Sequence, residues 1–215
     1  MQSATLTMST QALSWPALSF AEAIPRTVPM PEPVPAADEA LVAATLRGDD
    51  DAFTEIVRRY KRRVFASAAR FARDDHQLDD ICQEVFVRAF RNLAKFRGDA
   101  PFEHWLARII VSACYDFLRK ERRVREQITL DAIEYEVRDV TIDSAAAAGR
   151  ARELLAYAMR RLTPDEQLIV TLCEIEERSV REVAELTGWS ESNVKVRAFR
   201  ARQSLKKILE NSHEQ

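Results

Sequence analysis

Between Glu191 and Ile208 six cations, Lys195, Arg197, Arg200, Arg202, Lys206 and Lys207, stand against a single carboxylate. At about 100° per residue, a helix over this stretch gathers Val194, Ala198, Ala201 and Leu205 into one narrow apolar stripe. The opposite side carries Ser192, Lys195, Val196, Phe199 and Arg200. A valine and a phenylalanine among cations on a solvent face have no packing reason to be there. They suit a DNA major groove, where apolar groups meet thymine methyls and arginine reaches guanine, while the remaining cations suit phosphate. Asn193 and Arg197, on the same helix, join them as candidate DNA contacts. The rival reading is an ordinary solvated charged face.

Just upstream, Ala184, Gly188 and Val194 occupy the three places where a helix-turn-helix needs a small residue, a turn glycine and an apolar anchor. Any αα-hairpin in a bundle could carry the same Ala and Gly. A different chemistry is suggested by Asp79, Asp80 and Glu84. On a helix, Leu78, Ile81, Cys82, Val85 and Ala89 face inward, which leaves Asp80, Gln83, Glu84, Val87 and Arg91 outside. A valine ringed by carboxylates and an amide reads as a partner-binding patch. As a catalytic or metal site the carboxylates lack a convergent histidine and a second helix with Glu-x-x-His, and a hydrolase built on Asp80 and His104 lacks a nucleophile. A third cluster, Arg119, Lys120, Arg122, Arg123 and Arg125 beside Glu121, reads as a phosphate track.

The elements that must position these residues are helical. Apolar residues recur at helical spacing, Gly is rare with four in 215 residues, and hairpin dipeptides are missing, so the expected class is all-α, as two small helical domains joined by a flexible linker. Breaks at Gly48, at Asp74-Asp75 and at Arg97-Gly98-Asp99-Ala100-Pro101 predict front helices near 38–47, 50–72, 76–95 and 102–124. Thr163-Pro164-Asp165-Glu166 and Ser179-Val180-Arg181-Glu182 each spell a capping box. Gly188 stops the second of these helices and Ser190 caps a last helix to about Leu209. Residues 1–37, with Pro25, Pro29, Pro31, Pro33 and Pro35, are expected to be a disordered Pro-rich tail, and residues 126–149 a linker.

Net charge is −2 and the pI near 6.0, so nucleic-acid binding must come from local stripes and would be weak for the chain alone. Cys82, Cys114 and Cys173 share no C-x-x-C spacing and read as small buried hydrophobes in a reducing cytosol. No cofactor or metal is expected. The longest apolar run, around Ile109 to Val111, is too short to cross a bilayer, and no export signal is read, so a cytoplasmic protein is expected.

The stretch DDICQEVFVRAFRNLAKFRGDAPFEHWL, Asp79 to Leu106, closely resembles region 2 of extracytoplasmic-function (ECF) sigma factors of the sigma-70 family. LTPDEQLIVTLCEIEERSVREVAELTGWSESNVKVRAFRARQSL, Leu162 to Leu205, resembles their region 4. Asp51-Ala52-Phe53 and Leu118-Arg119-Lys120 extend the likeness. The resemblance implies that 38–125 binds core RNA polymerase through the β′ clamp coiled coil at the Asp80 patch. It implies that Arg97, Gly98, Asp99 and Phe102 capture a flipped base of the minus-ten element, with Arg119, Lys120, Arg122 and Arg123 on phosphate; the alternative for Phe102 and Trp105 is that they are core aromatics holding the loop. It implies that 150–210 reads the minus-thirty-five element, that the β subunit is a further contact, that the chain is not itself an enzyme, and that an anti-sigma factor controls it. Many members carry Asn where this chain has Ser112, so promoter preference near the minus-ten element is expected to differ. The alternative is a stand-alone helix-turn-helix regulator using its front domain for an effector or for dimerisation.

Overall fold

Side chains that reach back onto the backbone set where the helices begin. Asp49 accepts from the Ala52 N–H and opens α2 (Asp50–Ala68), and Asp74 accepts from the Gln77 N–H and opens α3 (Asp75–Asn92). The computed structural model describes residues 35–128 and 144–213, and all of their regular structure is helical. The remaining elements are α1 (Pro35–Leu46), a 3-10 turn (Leu93–Lys95), α4 (Phe102–Ile128), α5 (Ser144–Arg161), α6 (Pro164–Val170), a π turn (Thr171–Ile175), α7 (Val180–Thr187) and α8 (Glu191–His213).

In the front half, α1 to α4 enclose Ile56, Tyr60, Val64, Ile81, Val85, Leu106 and Ile110, each buried. The α3 stripe Leu78, Ile81, Cys82, Val85 and Ala89 turns inward as expected. Asp38 of α1 is buried because it accepts from the Tyr60 hydroxyl at 2.5 Å and pairs with Arg59, so no charge is left uncompensated. Burial and the neighbouring Asp38 together push the Tyr60 phenol up.

In the back half both expected capping boxes are present, on Thr163/Glu166 and Ser179/Glu182. Gly188 adopts φ +75°, and its N–H reaches the Ala184 carbonyl at 2.9 Å, closing α7 in the left-handed turn that glycine adopts without strain. Ser190 accepts from the Asn193 N–H at 3.3 Å and starts α8, whose Val194, Ala198 and Ala201 are buried and whose Leu205 packs against the core.

Several boundaries differ from the periodicity. Pro35, counted with the tail prolines, is the first residue of α1, a place where its missing N–H costs nothing. Apart from Pro35 to Ala37, the expected tail lies outside the described residues. α2 stops at Ala68, α4 runs on to Ile128 and α5 begins at Ser144, so both ends of the expected 126–149 linker are helical and residues 129–143 lie outside the described residues. The halves also touch: their buried residues form one continuous cluster, with α6 and α7 laid along α4.

Candidate nucleic-acid and polymerase interface

On α3, Asp80, Gln83, Glu84 and Arg91 are exposed and Val87 is half-buried. Asp80, Gln83, Glu84 and Val87 line one bank of an open groove whose other bank is α4, with Asp116, Phe117 and Lys120, while Arg91 lies outside it. Arg88 bridges the banks. Its Nε donates to Glu84 Oε1 at 2.6 Å and its Nη1 to Asp116 Oδ2 at 2.6 Å, with Ser112 Oγ 3.5 Å from the same nitrogen. Burial opposes the Arg88 charge, but the two carboxylates more than offset it and hold its pKa above the ordinary value. Sequence reasoning found only the α3 bank. The α4 bank has a signal, Ser112, Asp116 and Lys120 at intervals of four, but that signal does not say which helix faces it.

The break after α3 puts Arg97, Gly98 and Asp99 in water, with Gly98 at φ +77°. Phe102 is a correction. Expected to contact a base, it is 2 % exposed, with its ring against Tyr60 at 5.3 Å, Phe96 at 5.4 Å and Trp105 at 5.2 Å. It is the floor under the loop and cannot meet a nucleotide without leaving the core. Along α4, Arg119, Lys120 and Arg123 are exposed, whereas Arg122 is half-buried and paired with Glu126 at 2.6 Å. Arg125 donates to the Arg160 carbonyl at 2.6 Å. Its pKa is lowered by burial first and by the neighbouring cations Arg73, Arg122 and Arg160 after that.

On α8, Ser192, Asn193, Lys195, Val196, Phe199 and Arg200 all face water, Phe199 at 63 % and Val196 at 49 % exposure. Arg197 does not stand with them. It pairs with Asp165, lies 4.2 Å above the Trp189 ring and donates its Nε–H to Asn193 Oδ1 at 2.7 Å.

The model of sigma-70 region 2 matches residues 56–124 and that of sigma-70 region 4 residues 152–205. The ECF RNA polymerase sigma factor SigM of Mycobacterium tuberculosis is 31% identical over 172 residues, 80% of this chain and 84% of that protein. The chain belongs to the ECF sigma factors of the sigma-70 family. RNA polymerase sigma-H factor of Pseudomonas aeruginosa is 29% identical over 80% of this chain and 94% of its own length. Among solved structures, that of CnrH in complex with the cytosolic domain of CnrY is similar at TM-score 0.52 and 27% identity, covering 81% of this chain and 98% of that one. As an ECF sigma factor, the protein directs transcription initiation with core RNA polymerase and promoter DNA as its partners. Sigma factors are non-catalytic initiation factors. Among the described residues no helix is long and apolar enough to cross a membrane.

Proposed function

We propose that three surfaces divide the work of this sigma factor. The α3 bank Asp80, Gln83, Glu84, Val87 and Arg91, completed by Asp116 and Phe117 of α4, binds the β′ clamp coiled coil of core polymerase. The loop Arg97, Gly98 and Asp99 receives a flipped minus-ten base while Arg119, Lys120 and Arg123 hold phosphate, with Arg122 joining them once it leaves Glu126. The outer face of α8, with Ser192, Asn193, Lys195, Val196, Phe199 and Arg200, reads the minus-thirty-five element. Residues 38–125 and 150–210 act as the two working units, the chain does its work in the cytoplasm, and it carries no catalytic centre of its own. CnrH was solved bound to the cytosolic domain of CnrY, and we extend that to an anti-sigma protein for this chain.

The observation that carries this reading is the exposed Phe199 and Val196 among cations on α8, opposite the buried Val194, Ala198 and Ala201. Burying such groups against thymine methyls gains apolar contact at no cost to the fold. The test is promoter-dependent transcription by core polymerase supplied with the native chain, Phe199→Ala or Arg200→Ala, on a panel of minus-thirty-five sequences. Each variant is expected to keep its helical circular dichroism and lose about 1–3 kcal/mol of discrimination at one position. Full activity with unchanged preference in both would reject this orientation of α8. A stand-alone regulator would give no promoter-specific transcripts from core polymerase at all.

A further inference from the structure

A carboxylate stands beside the loop Arg97-Gly98-Asp99 with no partner of its own. The first turn of α1 is pinned to the front core through Asp38, which accepts from the Tyr60 hydroxyl at 2.5 Å and pairs with Arg59. The Tyr60 ring in turn lies 5.3 Å from Phe102, the floor of the loop, and α1 packs on the 3-10 turn that leads into the loop and on α4 that leaves it. Glu39, the next residue along α1, is exposed, and its Oε1 is 3.8 Å from the point where a side chain at Gly98 would begin.

An acid in the first turn of a helix gains from the helix dipole wherever its side chain points, and that alone would account for Asp38. Two observations set Glu39 apart. The cations nearest in the fold are committed elsewhere, Arg59 to Asp38 and Glu55 and Arg63 to Glu103, and among the described residues Glu39 has neither a hydrogen bond nor an ion pair. Gly98, at φ +77°, puts no side chain in the way, so the space beside it is open and walled by the Glu39 carboxylate. Arg97, the cation of the loop, is exposed as well, and the phosphate of an extruded nucleotide is the group it suits.

An ionised carboxylate accepts hydrogen bonds and donates none. A flipped base is read on its Watson–Crick edge, where adenine, cytosine and guanine each bring an exocyclic amino group. Thymine brings a single ring N–H between two carbonyl oxygens, and those oxygens repel a carboxylate. We propose that Glu39 of α1 is a specificity-determining residue for the minus-ten element, accepting from the amino group of the captured base and rejecting thymine; this rests on the assignment of Arg97, Gly98 and Asp99 to a flipped base. The base then meets two separate parts of the chain, the loop and the helix that opens the front half.

The test uses holoenzyme reconstituted with the native full chain, Glu39→Gln, Glu39→Ala or the loop double variant Arg97→Ala/Asp99→Ala. The template is a promoter library randomised across the minus-ten element behind the most active minus-thirty-five sequence of the panel above, and the transcripts are sequenced. Native holoenzyme is expected to deplete thymine about fivefold or more at one position. Glu39→Gln, which offers the base a donor as well as an acceptor, and Glu39→Ala should reduce that depletion to within about twofold while preferences at the other positions persist. A merely structural part for Glu39 would lower transcription from all sequences alike and leave the base frequencies as they are. Thymine depletion that survives in both Glu39 variants, or that is missing at every position with the native chain, would overturn the proposal. The loop variant separates the two readings: if it erases preference at one position and the Glu39 variants do not, the loop assignment stands and Glu39 fails. If it alters no position, the loop assignment fails and takes the proposal with it. Glu39 is exposed and unpaired, so its variants should keep their helical circular dichroism, and if Glu39→Ala does not, Glu39→Gln decides alone.

Discussion

Glu84 keeps 47% of its side chain in water while committing one oxygen to Arg88, which commits its other arm to Asp116. A carboxylate held this way is cheap to the fold and available to a partner. Exposed i,i+4 pairs contribute about 0.3–0.5 kcal/mol, so Asp80→Lys/Glu84→Lys should cost little stability while reversing two charges on the groove bank. We expect unchanged thermal unfolding and a fall in core-polymerase affinity of at least tenfold, measured by titrating labelled core. Equal affinity would move the polymerase contact off α3. Phe102 shows where residue-level reading reaches its limit: an aromatic beside a loop can cap it or support it, and only the stacking of Tyr60, Phe96 and Trp105 around it decides for support. The outward-facing residues of α3 and α8 were legible because helical periodicity separates two faces. The partners of Arg197 were not legible, because Asp165 is distant from it in sequence and Trp189 lies across a turn.

Helix starts were the most legible elements, since a capping box is written within four residues. The same boxes give the back half a defined response to acid. Glu166 is partly buried, which alone would raise its pKa, but the Ser204 hydroxyl and the Thr163 backbone and hydroxyl donate to its carboxylate and hold it below the ordinary value. The Ser179 hydroxyl and backbone do the same for Glu182. A carboxyl whose folded pKa is depressed contributes stability that is present above its unfolded pKa of about 4.3 and is lost as pH falls through the folded value. We therefore expect Glu166→Gln to lower thermal stability at pH 7 and to flatten its decline between about pH 5 and pH 3, followed by circular dichroism. A parallel acid decline in native and variant would remove the box from the account. Thr163→Ala, which deletes the cap oxygen, should cost about 1 kcal/mol. What sequence could not show is the π turn Thr171–Ile175, because nothing in a helical stripe marks one extra residue per turn. That turn leads directly into Glu176, the residue that meets Arg70.

At the scale of the whole molecule, charge and shape set the terms of DNA binding together. A net charge of −2 provides no long-range attraction to phosphate, so affinity depends on local cations and on polymerase bringing them to the promoter. The end of α8 carries two candidates in unequal positions. Lys206 already has Glu210 at 3.6 Å, whereas Lys207 is exposed on the same turn. Replacing an occupied cation also frees its carboxylate, whereas replacing Lys207 removes the charge of an exposed side chain. If Lys207 touches phosphate only, Lys207→Ala should weaken holoenzyme binding to all promoter sequences about equally and reduce the slope of log affinity against log salt by roughly 0.9. The measurement is promoter affinity of the reconstituted holoenzyme at several salt concentrations, alongside Phe199→Ala. The phenylalanine variant should change sequence preference with the salt slope intact, because it carries no charge and releases no counterion. An unchanged slope for Lys207→Ala would place the C-terminal end of α8 away from the DNA, and the helix would then enter the groove by its N-terminal turns alone.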